Sequence, residues 1–195
     1  TIVASEIVSG EYSKGTFRMY LTRPISRSAV ILSKLIIVFI YTTLMMLYFY
    51  IYTLVISILI LGLGDLAVFH NGLLFLDESD ILWRFFLAFV ISNSIMLTVT
   101  SLCFLFSTIS KNSVTPIIST ISIVFIGTAI SFIPIDIFER INPYLFTGYI
   151  DLFLAAFYDP IPKNDIIFCI LVSIIWSIIF ISLSFYFFNR KDILD

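Results

Sequence analysis

Four stretches of this chain, Leu35 to Leu61, Phe85 to Ser110, Val114 to Ile135 and Ile166 to Phe188, contain no Asp, Glu, Lys, Arg or His. Nothing else in the sequence restricts the fold as strongly. A helix needs about 20 mostly apolar residues to cross the hydrocarbon core of a bilayer, and each stretch is long enough. Lipid offers no partner to a backbone N–H or C=O, so a continuous uncharged run is expected as a helix. A membrane barrel would need short strands of alternating polarity, and these runs do not alternate. Composition agrees, with 60% hydrophobic and 12% charged residues, against about half and a quarter in soluble domains. The expected fold class is all-α, a polytopic membrane helix bundle with four full spans, and residues 1–195 read as one transmembrane domain.

The breaks between the runs are legible too. Gly62-Leu63-Gly64-Asp65 stops the first, Lys111-Asn112-Ser113 is a tight polar turn between the second and third, and Pro134 with Asp136 closes the third. The first run would be about 40 Å long as a helix, so it must tilt or protrude from a core of about 30 Å. The chain opens at Thr1 with no basic-then-apolar targeting segment, and reads as a fragment.

Cations are distributed unevenly. Lys14, Arg18, Arg23, Arg27, Lys34, Lys111, Arg190 and Lys191 would gather on one face, and only Arg84, Arg140 and Lys163 on the other. The positive-inside bias therefore predicts that both ends and the Lys111 turn are cytoplasmic. The longer outer loop holds an apolar segment, about 144–158, too short to span and too apolar for a solvated loop. It is expected as a short outer re-entrant or interfacial helix, serving either as a plug or as a gate.

Few chemistries are open to such a chain. Its one His, His70, falls in an outer loop, so no His-based metal site or catalytic dyad can be assembled from these residues. Gly10 and Gly15 have phosphate-loop spacing, but Thr16 stands where the lysine belongs and no strand precedes them. Adjacent acids such as Asp77, Glu78 and Asp80 read as a solvated run, and no intramembrane acid or base is present to perturb. Cys103 and Cys169 lie inside apolar runs and read as small hydrophobes. A net charge of −2 gives no reason to expect a nucleic-acid partner. Without charge in the spans, proton-coupled transport also lacks its usual ion-binding groups. Sodium coupling through carbonyls and hydroxyls stays open, and the favoured entry of energy for active transport is the cytoplasmic surface.

Residues 6–34 are the port that remains. Five of the 11 Lys and Arg residues lie there, against the start of the first span. Thr16 can cap a short helix from Phe17 to Thr22, which Pro24 ends, and Ser26 can cap the helix that enters the membrane. By composition alone this is either a basic linker held on anionic lipid or a small amphipathic helix with a face for a partner's groove. The ordered set Glu6, Gly15-Thr16, Leu21, Arg23-Pro24-Ile25-Ser26-Arg27 and Lys34 resembles the signature of permease subunits of type-2 ATP-binding cassette (ABC) transporters. Ser33 stands where glycine is common before that lysine.

The resemblance extends over essentially the whole chain and implies a function. The four spans would be the third to sixth of six, with Thr1-Ile-Val-Ala the tail of the second. Glu6, Gly15, Thr16, Phe17, Arg18, Leu21, Arg23, Pro24, Arg27 and Lys34 would form the coupling segment that docks on a separate ABC ATPase subunit. ATP would bind to that partner and this chain would carry no cofactor. The implied assembly is a homodimer or heterodimer of permeases in a bacterial or archaeal plasma membrane, exporting an unidentified substrate. The other class of reading is a polytopic scaffold or assembly protein without transport. An enzyme would need acids or histidines that these residues do not supply.

Two polar stripes lie within the spans. Tyr41, Met45, Tyr48 and Tyr52 recur on one helical face, and buried phenols need partners, so that face is expected to point into the bundle. Ser94, Thr98, Ser101 and Thr108 make a second stripe. Tyr41, Tyr48, Tyr52, Ser94, Thr98 and Ser101 are candidates for a translocation path, with helix packing as the alternative.

Overall fold

A computed structural model of the protein describes residues 1–10, 27–62, 64, 66–69 and 72–190. A one-turn helix α1 (Ile2–Ser5) runs into a π turn (Glu6–Gly10). Then come α2 (Arg27–Leu61), the strands β1 (Leu66–Phe69) and β2 (Leu73–Leu76), α3 (Glu78–Ile109), α4 (Val114–Ser131) and α5 (Asp136–Ile141). A 3₁₀ turn (Asn142–Tyr144), a 3₁₀ helix (Phe146–Phe157) and α6 (Lys163–Arg190) complete the chain. The fold is mostly helical, and α2, α3, α4 and α6 are each long and apolar enough to cross a membrane.

The helix ends follow from local chemistry. Gly62, at φ 78°, closes α2 by donating its N–H to the Ile58 carbonyl at 3.0 Å; a left-handed residue at this position is tolerated by glycine at no steric cost. Asn112 Oδ1 opens α4 by accepting from the Thr115 amide at 3.1 Å and its hydroxyl at 2.6 Å. α4 stops at Ser131, short of the expected Ile135, because the residue before Pro134 is disfavoured in helical conformation. α2, α3 and α6 instead extend past their apolar runs, to Arg27, Glu78 and Lys163, and each is longer than a hydrocarbon core of about 30 Å.

The all-α expectation needs one correction. Between α2 and α3 lies an antiparallel hairpin that pairs Leu66 with Leu76 and Phe69 with Leu73, next to Gly72 at φ 147°. All eight strand residues are apolar, so period-two alternation gives no sign of them.

α3 is the centre of the bundle. Its Cys103 and Phe104 meet Ala4, Ile31 and Phe188 at what is here termed the proximal end, which holds residues 1–10, the 110–113 turn and Arg190. Its Val99, Leu102 and Leu105 meet Phe146, Val172 and Phe180 midway. Its Ala88, Ile91 and Ile95 meet Ala156, Ile166 and Cys169 toward the distal end. Both cysteines are buried and unbridged.

The 3₁₀ helix overlays the apolar segment expected at 144–158, and its period of three accounts for its faces. Phe146, Ala155, Thr147 and Ala156 are buried on two adjoining rows, whereas Asp151 and Leu154 fall on the third row and are exposed. Its deep end is set by contacts well down the neighbouring helices. Phe146 stacks edge-on to Trp176 and Phe180, with centroids 6.2 and 6.1 Å away. Trp176 Nε1 donates to the Tyr144 carbonyl at 2.8 Å, about 20 Å along α6 from Lys163 at the helical rise.

Candidate functional site at the base of the basic segment

Residues 11–26, which carry Gly15, Thr16, Phe17, Arg18, Leu21, Arg23 and Pro24, lie outside the described residues, as does the expected helix from Phe17 to Thr22. The elements that flank that segment are described, and a contact joins them. Lys34, about two turns inside α2, is buried and donates from Nζ to the Ile7 carbonyl of the π turn at 2.6 Å. A π turn leaves carbonyls that no following helical amide takes up, and a lysine ammonium is a charge-assisted donor to them.

Serines fix the same turn to α3. The Ser9 amide donates to Ser107 Oγ at 3.1 Å, and Ser107 Oγ donates to the Ser5 carbonyl at 2.6 Å. The Ser9 hydroxyl donates to that same carbonyl, and Cys103 Sγ reaches the Thr1 carbonyl at 3.3 Å. Ser5, Ser9 and Ser107 are fully buried, so each bond is made in a medium where an unmade one is costly. Gly10 closes the knot against the next turn, where an added Cβ would meet Ser113 Oγ at 3.4 Å. Glu6 is exposed at the start of the π turn, and Arg27 begins α2. Of the expected coupling residues, Glu6, Arg27 and Lys34 thus flank the undescribed segment on a closed base.

The tyrosine face departs from expectation. Tyr41, Met45, Tyr48 and Tyr52 share one side of α2, but that side is the outer surface of the described bundle, with Tyr48 59% and Tyr52 53% exposed. The seam that packs is Ile31, Leu35, Val38 and Thr42, about 80° round the helix at 100° per residue. Tyr41 lines a half-open cleft with Thr1, Val3 and Thr42. The Ser94 stripe does face inward. Thr98 Oγ1 lies 3.0 Å from the Ser173 carbonyl and 3.1 Å from Ser177 Oγ, bonding α3 to α6. Ser94, Ser101 and Thr108 return their hydroxyls to carbonyls of α3 itself. Thr98 thus joins α3 to α6 in the described bundle.

Residues 1–194 match a family described as Protein of unknown function (DUF2705). The chain belongs to this family. A relative, the uncharacterized protein YhcI of Bacillus subtilis (strain 168), is 25% identical over 197 residues, covering 98% of this chain and 63% of that protein. The DUF2705 chain thus spans less than two thirds of the relative's length. No solved structure matches it.

Two buried polar positions in the DUF2705 chain are bonded in ways that its sequence alone does not announce. Ser107 lies in an uncharged run with no local mark of its role, and Ser5 and Ser9 at helical spacing are the one signal of a hydroxyl seam. Arg84 was counted among outer-loop cations. It stands in α3, buried, and donates from Nη1 to the carbonyls of Tyr158 at 2.8 Å and Ala156 at 3.3 Å. The guanidinium thereby caps the C-terminal end of the 3₁₀ helix, where carbonyls lack amide partners and a cation is favoured. Among the described residues it has no carboxylate partner.

Proposed function

We propose that the chain is the membrane-spanning permease subunit of an ATP-driven exporter of the type-2 ABC kind. A separate nucleotide-binding subunit hydrolyses ATP and docks on residues 11–26, and two permease chains form the assembly. The basic end is cytoplasmic on this reading, and the 3₁₀ helix is the outer re-entrant element. The observation that carries it is the closed base. Lys34 and Ile7 join the two ends of the segment, and Ser107 ties that junction to α3. A docking segment on loose ends would dissipate a partner's movement in its own flexing. Anchored at both ends, it passes the movement to the spans as a rigid-body shift between two packings. The ordered landmarks from Glu6 to Lys34 supply the kind of partner.

The experiment is co-purification of the full-length protein with ABC-type ATPase subunits co-expressed from the same genome, followed by ATPase assay in liposomes. Leu21→Ala and Arg23→Glu are expected to weaken the complex and to uncouple stimulated hydrolysis at least tenfold, the scale of about 1.4 kcal/mol lost at an interface hot spot. Unchanged complex formation and hydrolysis in both variants would remove the coupling assignment. A stable complex whose ATPase never responds to the membrane chain would favour a scaffold.

A further inference from the structure

We infer that α3, not α2, links the basic segment to the 3₁₀ helix at the far end, with Ser107 and Arg84 as the positioning residues at its two ends. α2 is the element that the basic segment enters directly, yet its hold on the bundle fades with distance. It is bonded through Lys34 and Thr42 and touches Phe89 with Tyr50, at 5.1 Å between rings. Farther on it turns outward, with Ile51, Val55, Leu59 and Ile60 between 49% and 75% exposed. A displacement of α2 has little to push on there.

α3 has grips along its whole length. It takes part in each of the three buried clusters, and 56% of its apolar stretch is buried, against 22% for α2 and 28% for α6. At the proximal end Ser107 holds both the Ser9 amide and the Ser5 carbonyl. About 35 Å away along the helix, Arg84 holds the last carbonyls of the 3₁₀ helix. Between them Thr98 fastens α3 to α6. A helix bonded at both ends to the two segments, and packed between them, moves as one piece. A shift at Ser9 therefore arrives at Ala156.

The inference takes its input from the proposed docking segment, but its test needs no ATPase, so the two fail separately. The full-length protein is placed in liposomes with Cys103→Ser and Cys169→Ala, and Ala156→Cys serves as reporter because Ala156 is fully buried beside Arg84. Its labelling rate by a membrane-permeant maleimide reports opening of the distal end. Ser107→Ala is expected to raise that rate about 2- to 30-fold, the range of measured coupling changes at remote positions, and Ser107→Thr to restore it. Arg84→Gln raises it directly, and adding Ser107→Ala to Arg84→Gln adds little. Ser184→Ala is the control, since Ser184 is equally buried but bonds only the Phe180 carbonyl of its own helix among the described residues. Ser107→Ala without effect, or Ser184→Ala with an equal one, overturns the inference. Should Ser107→Ala fail to fold, Ser9→Cys with Ser107→Cys supplies the opposite perturbation, with labelling counted at Ala156→Cys alone by peptide mass spectrometry after any reductant is removed. The oxidised form is expected to label more slowly than the reduced form, and equal rates overturn the inference.

Discussion

The contact between Gly127 of α4 and Thr147 of the 3₁₀ helix permits opposite predictions from one spot. Thr147 is 4% exposed, and its hydroxyl finds no partner among the described residues. A buried, unpaired hydroxyl costs about 1–3 kcal/mol. Thr147→Val keeps the shape and removes the orphan, so it is expected to stabilise by that amount. For a chain of this size the gain is a rise in Tm of about 2 to 12 °C. A Cβ added at Gly127 would stand 2.5, 2.7 and 2.8 Å from Thr147 Oγ1, Cγ2 and Cβ. Rotating the threonine side chain cannot clear its own Cβ, so backbone must shift, at about 1–3 kcal/mol. Alanine returns about 1 kcal/mol of helix propensity, leaving Gly127→Ala destabilised by up to about 2 kcal/mol. Thr147→Gly removes all three contacts, and in that background Gly127→Ala is expected to cost less or to stabilise. The assay is thermal unfolding in detergent followed by tryptophan fluorescence, because Trp176 packs on Phe146 beside the contact. A fall in Tm for Thr147→Val would mean that the hydroxyl is satisfied. Equal effects of Gly127→Ala with and without Thr147→Gly would mean that the two elements do not approach as described.

Other expectations follow from the closed base and the outward face of α2. Ser107→Ala removes an acceptor and a donor from the buried knot, and should lower stability by about 1–3 kcal/mol and raise hydrogen exchange at the Ser9 amide, read by mass spectrometry. Lys34→Met abolishes the bond to the Ile7 carbonyl. It should loosen residues 1–10 in the same exchange experiment while changing overall stability less, since burial of a charge is relieved at the same time. Tyr48→Phe should leave stability in detergent within about 0.5 kcal/mol, because that side chain is exposed on the described bundle.

The spans were legible because a single property, absence of charge over 22 residues or more, is all that lipid demands. Packing was less so, and α2 shows why. When a helix is apolar all round, periodicity says which residues share a face and nothing about which face meets a neighbour. The tyrosines and the Ile31–Leu35–Val38 seam have the same spacing and differ only by rotation, and in the described bundle it is the seam that packs. The hairpin was illegible for the converse reason. Both of its faces are apolar, which leaves Asn71-Gly72 as the one turn signal in the sequence. The seam through Ser5, Ser9 and Ser107 needed long-range pairing that no local pattern encodes, since Ser9 and Ser107 are 98 positions apart.

The structure also changes what the cation count weighs. Lys34 and Arg84 count on opposite sides as flanking charges, yet each is buried and donates to backbone carbonyl oxygen. A charge so engaged holds chain segments together and contributes less to holding a loop on one side of a membrane. Removing one from each side reduces eight against three to seven against two, so the bias that favours a cytoplasmic basic end is steeper without them. Orientation and architecture therefore rest on different residues. On the proposed reading Lys14, Arg18, Arg23 and Arg27 carry the cytoplasmic bias, whereas Lys34 fastens α2 to the π turn. Charge reversal at the first group should invert or scramble the topology read by impermeant labelling, whereas Lys34→Met should leave topology intact and loosen the base.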